Sequence, residues 1–91
     1  MTDATDRQLL AALAQAFGEE AFDTAVVTGR AWHQSDEKLA ASLEVAIPNC
    51  RYRSGHRRGQ FKDRLVRRTL TRLAPDHFDA DRHGWWYLKS L

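Results

Sequence analysis

The sequence contains one cysteine, one methionine and two prolines among 91 residues, and these shortages exclude some classes of protein. Because Cys50 is alone, no internal disulfide can form, and a zinc site built from several cysteines is excluded. No apolar run approaches the roughly 18 residues needed to cross a bilayer, so we expect no membrane partner. The first residues lack the pattern of a secretion signal, which predicts a cytoplasmic protein.

The motifs of common enzymes are also missing. There is no glycine-rich phosphate loop and no Gly-x-Ser-x-Gly nucleophile turn. Neither Glu19 nor Glu20 has a second acid placed for acid–base catalysis. Arg51 could lower the pKa of the Cys50 thiol, and an ordinary, partly buried cysteine is the alternative. We therefore predict a protein that binds without catalysing a reaction and that holds no cofactor.

Acidic residues are scarce in the second half of the chain. Residues 1–50 hold eight acids and three bases, a net charge of −5, whereas residues 51–91 hold eleven bases and four acids, a net charge of +7. This asymmetry indicates a polyanionic partner such as nucleic acid. A merely solvated basic face and an acidic protein partner stay open as other interpretations. If the acidic half met the basic half of another copy, the protein would self-associate head to tail.

The length of the chain is enough for one domain with a modest core, and no repeat or long linker divides it. We therefore treat residues 1–91 as a single domain, with an acidic helical half followed by a basic half. The spacing of apolar residues predicts a first helix over 6–17. Thr5 and Gln8 have the spacing of a capping box at its start, and Gly18 suits the position after its end.

Two further helices are predicted before residue 50. A short helix ended by Gly29 is favoured within 19–34, although valine and threonine there also suit an extended segment. The next helix begins after an N-cap at Ser35 and runs through Ile47, where Pro48 ends it.

Residues 51–73 are the most informative segment, because they hold nine arginines or lysines and one acid. An irregular loop is predicted up to Gly59, followed by a helix from Gln60 to Leu73 that Pro75 ends. At 100° per residue, apolar side chains occupy one half of this helix and arginines the other. The apolar set is Phe61, Leu65, Val66, Leu70 and Leu73, and the basic set is Arg64, Arg67, Arg68 and Arg72.

The C-terminal segment HFDADRHGWWYLKSL has two aromatic-rich stretches around an Asp-Arg-His-Gly turn. This pattern predicts a β-hairpin. Strand alternation would send Trp85 and Tyr87 to one face and Trp86 and Leu88 to the other. One pair is then expected in the core and the other exposed or in contact with a ligand, and burial of both pairs is the alternative.

The order of these elements resembles the winged helix-turn-helix architecture, in which the last helix enters the major groove and a hairpin, the wing, touches the backbone or minor groove. The resemblance implies a mainly helical fold of three to four helices plus a wing. The recognition helix would lie in 59–73 and the wing in 78–91. The chain departs from that family in one respect, because the loop between Pro48 and Gly59 is far longer than the usual turn of about three or four residues.

These features predict a small DNA-binding protein that favours duplex DNA. Guanidinium groups stay charged and donate paired hydrogen bonds to phosphate. A non-catalytic inhibitor or adaptor that docks its arginines on an acidic protein is the first alternative. The predicted nucleic-acid-binding residues are Arg51, Arg53, Arg57, Arg58, Lys62, Arg64, Arg67, Arg68, Arg72, Arg82 and Lys89.

A metal-dependent nuclease is the second alternative. His77, Asp79, Asp81 and His83 alternate and would share one side of an extended strand. Their imidazole and carboxylate groups suit Zn, Mn or Mg. Because His83 and Gly84 signal a turn, which would scatter these side chains, we predict no metal site.

Overall fold

The computed structural model describes residues 3–89 of the chain. Within this range four helices are followed by a two-stranded antiparallel hairpin, which confirms the predicted mainly helical fold with a C-terminal hairpin. No helix of that range is both long and apolar enough to cross a membrane. The elements are α1 (Ala4–Phe17), α2 (Thr24–Trp32), α3 (Glu37–Ala46), α4 (Asp63–His77), β1 (Phe78–Ala80) and β2 (Trp86–Leu88).

An aspartate precedes each of the first three helices. Its carboxylate accepts a hydrogen bond from a backbone amide of the first turn, which would otherwise lack a partner, and its charge favours the positive end of the helix dipole. The aspartates are Asp3, Asp23 and Asp36, and their amide donors belong to Asp6, Val26 and Leu39 at 2.8, 2.8 and 3.1 Å.

Two predicted caps are wrong because a nearby aspartate takes the position. Thr5 lies inside the first turn of α1, and its hydroxyl donates to Asp3 at 2.8 Å, so no capping box with Gln8 forms. The hydrogen bond from the amide of Asp6 is the main reason that the pKa of Asp3 is lowered. Ser35 has a left-handed φ of 53° and stands before the actual cap, Asp36.

Two predicted helix ends are wrong as well. α2 continues past Gly29 to Trp32, because the burial of its apolar face outweighs the roughly 1 kcal/mol that glycine costs a helix interior. α4 continues through Pro75. Proline removes only one helical hydrogen bond there, and burial of Leu73 and Phe78 on either side holds the last turn in place.

The segment before α4 consists of turns and bends, as predicted for an irregular loop, and one isolated bridge between Arg51 and Phe61 closes it. Backbone amides donate across it from Tyr52 to Gln60 at 2.9 Å and from Lys62 to Cys50 at 2.6 Å. These bonds hold residues 60–62 in an extended conformation. α4 therefore begins at Asp63, three residues later than predicted.

Phe22, between α1 and α2, joins the hairpin to the helices. Its side chain is fully buried, and its ring stacks on Phe17 with centroids 5.1 Å apart and meets Phe78 edge-on at 5.3 Å. Its backbone exchanges two hydrogen bonds with Trp86, at 2.7 and 2.9 Å. β2 is therefore flanked by β1 on one side and by Phe22 on the other.

The hairpin confirms the predicted alternation of its aromatic residues. Trp86 and Leu88 pack against the core, whereas Trp85 and Tyr87 are 38% and 37% exposed. The turn between the strands is held by Asp81, whose carboxylate accepts from the amides of two later turn residues. One face of the hairpin therefore completes the core, and the other presents aromatic rings to solvent.

An ion pair between a buried carboxylate and a partly exposed arginine joins α1 to α4. The side chain of Asp6 is 3% exposed, and Arg72 donates two hydrogen bonds to its carboxylate at 3.0 and 2.8 Å. This bonding raises the pKa of Arg72. The guanidinium satisfies a carboxylate that would otherwise be buried without a counterion.

Replacement of Arg72 with methionine should lower the free energy of unfolding. Loss of one partner from a buried pair costs about 3–5 kcal/mol, and because the side chain of Arg72 is 55% exposed, water replaces it in part and we expect about 2 kcal/mol. Urea denaturation of Arg72→Met measures this. The Asp6→Leu, Arg72→Met double variant should regain much of the loss, and a stability of Arg72→Met equal to wild type would contradict this role of the pair.

Candidate nucleic-acid interface

The outer face of α4 is basic, as predicted. Its apolar residues turn to the core, where Val66, Leu70 and Leu73 are buried and Leu65 is half-buried. Thr69 is buried as well, although its residue type gave no sign of this. The arginines of α4 that are exposed outside the core are Arg64, Arg67, Arg68 and Arg72, the last of which is bonded to Asp6.

Several arginines have no partner in the described part of the chain. Asp63 is placed one helical turn before Arg67, yet the two do not form an ion pair. Asp63 therefore does not neutralise the charge of Arg67. An anion that approaches this arginine need not displace a carboxylate already bonded to it. Within residues 3–89, no hydrogen bond or ion pair is formed by the side chains of Arg58, Arg64, Arg67, Arg68 and Arg82.

Arg51 and Arg72, both predicted to bind nucleic acid, have internal partners. Arg72 holds the carboxylate of Asp6. Arg51 donates from Nη1 to the carbonyl of Gly59 at 3.1 Å, and its guanidinium lies 4.3 Å from the centre of the Phe61 ring. Its Nε lies 3.0 Å from Glu44 without the alignment of a hydrogen bond. Arg51 thus closes the base of the loop.

The loop arranges its other cations around an aromatic ring. Arg57 donates to the hydroxyl of Tyr52 at 3.2 Å and lies 4.9 Å from the centre of its ring, and Lys62 Nζ lies 5.7 Å from the same centre. Arg53 donates to Asn49 at 2.8 Å. These contacts fix the position of the loop cations, and Arg53 and Arg57 remain exposed.

A groove of about 610 Å³ separates α4 from the hairpin turn. Arg64, Arg67 and Thr71 form its α4 wall, and the first residues of α2 close one end. His83 and Trp85 form the hairpin wall. The groove therefore brings together an exposed tryptophan and two arginines that have no partner within residues 3–89.

A second depression lies between α2 and the basic loop. It shares Ala25 and Asp63 with the groove and includes Arg57 and Trp32. The two depressions are therefore contiguous, and the loop, α4 and the hairpin turn border one continuous surface. Residues of α2 line both depressions. The place of α2 in this surface results from the packing of α2 against α4, which no local sequence pattern indicates.

Trp32 and Gly59 show how the loop approaches α2. A Cβ atom at Gly59 would lie 3.0 Å from the Trp32 ring, and the φ of Gly59 is +85°. Glycine is needed for both reasons, because it has no side chain and tolerates a positive φ. The remaining predicted cations lie at the hairpin, where Arg82 is exposed in the turn and Lys89 Nζ donates to the carbonyl of Pro75 at 3.1 Å.

The four residues of the nuclease hypothesis do not form a metal site. His77 ends α4, and Asp79 is exposed in β1. Asp81 accepts hydrogen bonds from the amides of His83 and Trp85 at 2.8 and 3.0 Å. Among the described residues, no three His, Cys, Asp or Glu side chains are grouped to hold a metal ion.

Cys50 is buried, and its Sγ lies 3.7 Å from the carbonyl of Leu43. Burial raises the pKa of its thiol, and the charge of Glu44 adds to this, whereas Arg51 acts in the opposite direction with less effect. The idea that arginine neighbours activate this thiol is therefore wrong. Cys50 is an apolar residue of the core.

Comparison of the chain with protein-family models, with curated proteins and with solved structures found no match. The function must therefore be inferred from the surface of this chain. On that surface, the exposed arginines of α4 and the groove beside them are the features that the fold itself does not require.

In the folded protein, Cys50 should react slowly with a thiol reagent at neutral pH. A raised pKa leaves less thiolate, and burial blocks access, so we expect modification on the order of 100-fold slower than in denaturant. Absorbance after addition of a chromogenic disulfide reagent measures both rates. A folded-state rate as fast as that of the denatured chain would show that Cys50 is accessible and reactive.

Proposed function

We propose that this protein is a small, non-catalytic DNA-binding domain of winged-helix type that binds duplex DNA through α4, the basic loop and the hairpin. The observation that supports this most directly is the outer face of α4. There, Arg64, Arg67 and Arg68 are exposed and have no partner within residues 3–89. Such a face attracts the phosphates that dominate affinity for nucleic acid.

The size of α4 suits the proposed role. Its 15 residues make a helix about 22 Å long. An α-helix with its side chains is about 10–12 Å in diameter, which fits the major groove, about 12 Å wide. Arginine can also donate two hydrogen bonds to the edge of guanine. The α4 arginines would thus contact phosphates and base edges, and Arg53, Arg57 and Arg58 of the preceding loop would contact phosphates beyond the groove.

In this proposal the hairpin would serve as the wing. It follows α4 directly, and the bonds between Phe22 and Trp86 fix its base to the helices. Arg82 in its turn and Lys89 after β2 supply the positive charge with which it would touch the DNA backbone. The connection between α3 and α4 is longer than in the family it resembles, and in this proposal it serves as an additional basic element.

Charge reversal on α4 tests the proposal. Wild-type protein should bind labelled random duplex DNA, with an affinity that falls by orders of magnitude between about 50 and 200 mM salt. Arg67→Glu should weaken binding about ten-fold, because it removes a phosphate contact and adds repulsion. Fluorescence anisotropy measures the affinities at both salt concentrations.

Lys38→Glu is the matched control. It changes the net charge by the same amount, but Lys38 is exposed on α3 beside α1, away from the arginine face. Equal effects of the two variants would mean that net charge alone governs binding. Absence of binding at either salt concentration would contradict the DNA-binding proposal and favour an acidic protein as the partner of these arginines.

A further inference from the structure

The groove between α4 and the hairpin has features that contact with a regular duplex does not require. Its volume of about 610 Å³ falls in the range of about 300–1,000 Å³ common for sites that enclose small ligands. Arg64 and Arg67 of α4 and Trp85 of the hairpin line it. A ligand in the groove would therefore lie beside both cations and an aromatic residue.

Trp85 is held in place although its ring is exposed. Its amide donates to the carboxylate of Asp81 at 3.0 Å, and its carbonyl accepts from the amide of Asp81 at 2.8 Å. The next residue, Trp86, is bonded to Phe22 in the adjacent segment. The backbone that carries the ring is therefore fixed, so a ligand that stacks on Trp85 has only the side-chain rotamers to order.

The charges of the groove are mixed. Arg64 and Arg67 have no partner in the described part of the chain, and neither has Asp63, whose carboxylate lines the same groove. A simple anion would use the arginines and be repelled by the acid. A nucleotide offers complementary groups to both, since its phosphate accepts from guanidinium and an N–H group of an unpaired base donates to carboxylate.

We propose that this groove binds one unpaired nucleotide, with its base stacked on Trp85 and its phosphate bonded to Arg64 and Arg67. The base must be unpaired because, inside a duplex, both of its faces are covered by neighbouring base pairs, and an aromatic side chain can stack only on a base that has left that arrangement. This inference rests on the proposed DNA binding by α4. If α4 binds a duplex and the groove binds an unpaired nucleotide, the protein should prefer duplex DNA that ends in a single-stranded overhang to blunt duplex DNA.

Three labelled DNA molecules test the groove. They are a blunt duplex, the same duplex with a short single-stranded overhang, and the same duplex with an overhang of abasic nucleotides, which has equal phosphates but no bases. The wild type should bind the normal overhang about ten-fold more tightly than the abasic one, the typical contribution of one stacked base. Anisotropy titrations at one salt concentration give all three affinities.

Variants of the hairpin identify the ring responsible. Trp85→Ala should remove the preference for the normal overhang over the abasic one and leave affinity for the blunt duplex nearly unchanged. Trp85→Phe should keep much of the preference. Tyr87→Ala is the control, because Tyr87 is as exposed as Trp85 and lies on the same face of the hairpin but does not line the groove. A preference that survives in Trp85→Ala would overturn the stacking role.

The outcomes separate this inference from the proposed function. Equal binding of all three DNA molecules would overturn the nucleotide site and leave duplex binding intact. Binding of the normal overhang without binding of the blunt duplex would support the site and overturn the duplex proposal. If none of the three binds, both proposals fail.

Discussion

Phe22 is the constraint on which the arrangement of the molecule depends. Its ring is enclosed by Phe17 and Phe78, and its backbone is bonded to Trp86. One residue therefore fixes both the core between the helices and the position of β2. Because successive residues of a strand point to opposite faces, this pairing directs Trp86 inward and Trp85 outward. The outward position of Trp85 in turn makes it part of the lining of the groove beside α4.

The acidity of the first half has a structural explanation, whereas the excess of arginine has only part of one. Of the eight acids in residues 1–50, three cap helices, and Asp6 and Glu44 face Arg72 and Arg51. The fold thus uses most of this negative charge within the molecule. Head-to-tail association is not needed to account for it. Among residues 3–89, no such internal use exists for Arg64, Arg67 and Arg68, three of the four exposed arginines of α4.

The sequence predicted those features that depend on periodicity within one element. The burial of Val66 and Leu70 and the exposure of Arg67 follow from the 3.6-residue helical repeat, and the split between Trp85 and Trp86 follows from the two-residue strand repeat. Boundaries were less predictable. Where two polar residues adjoin, as Ser35 and Asp36 do, either can cap a helix by type, and the choice depends on packing that fixes the chain before it.

Long-range contacts could not be predicted from the sequence. The pairing of Asp6 with Arg72 joins two helices at opposite ends of the chain, and the bonds between Phe22 and Trp86 join segments almost as distant. Nothing in either local sequence specifies the partner. The candidate site was therefore predicted as a set of cations, without Trp85 and the first residues of α2, which line the groove beside them.

The combination of a basic face and a mixed groove implies a division of roles within the proposed interface. Phosphate contacts position a protein on nucleic acid but do not distinguish one sequence or shape from another, so exposed arginines alone would give affinity with little selectivity. The groove adds Trp85, which needs an accessible base, and Asp63, which favours a ligand with hydrogen-bond donors and disfavours a bare anion. In this proposal, selectivity for DNA structure would therefore arise in the groove, next to the arginines that would supply most of the affinity.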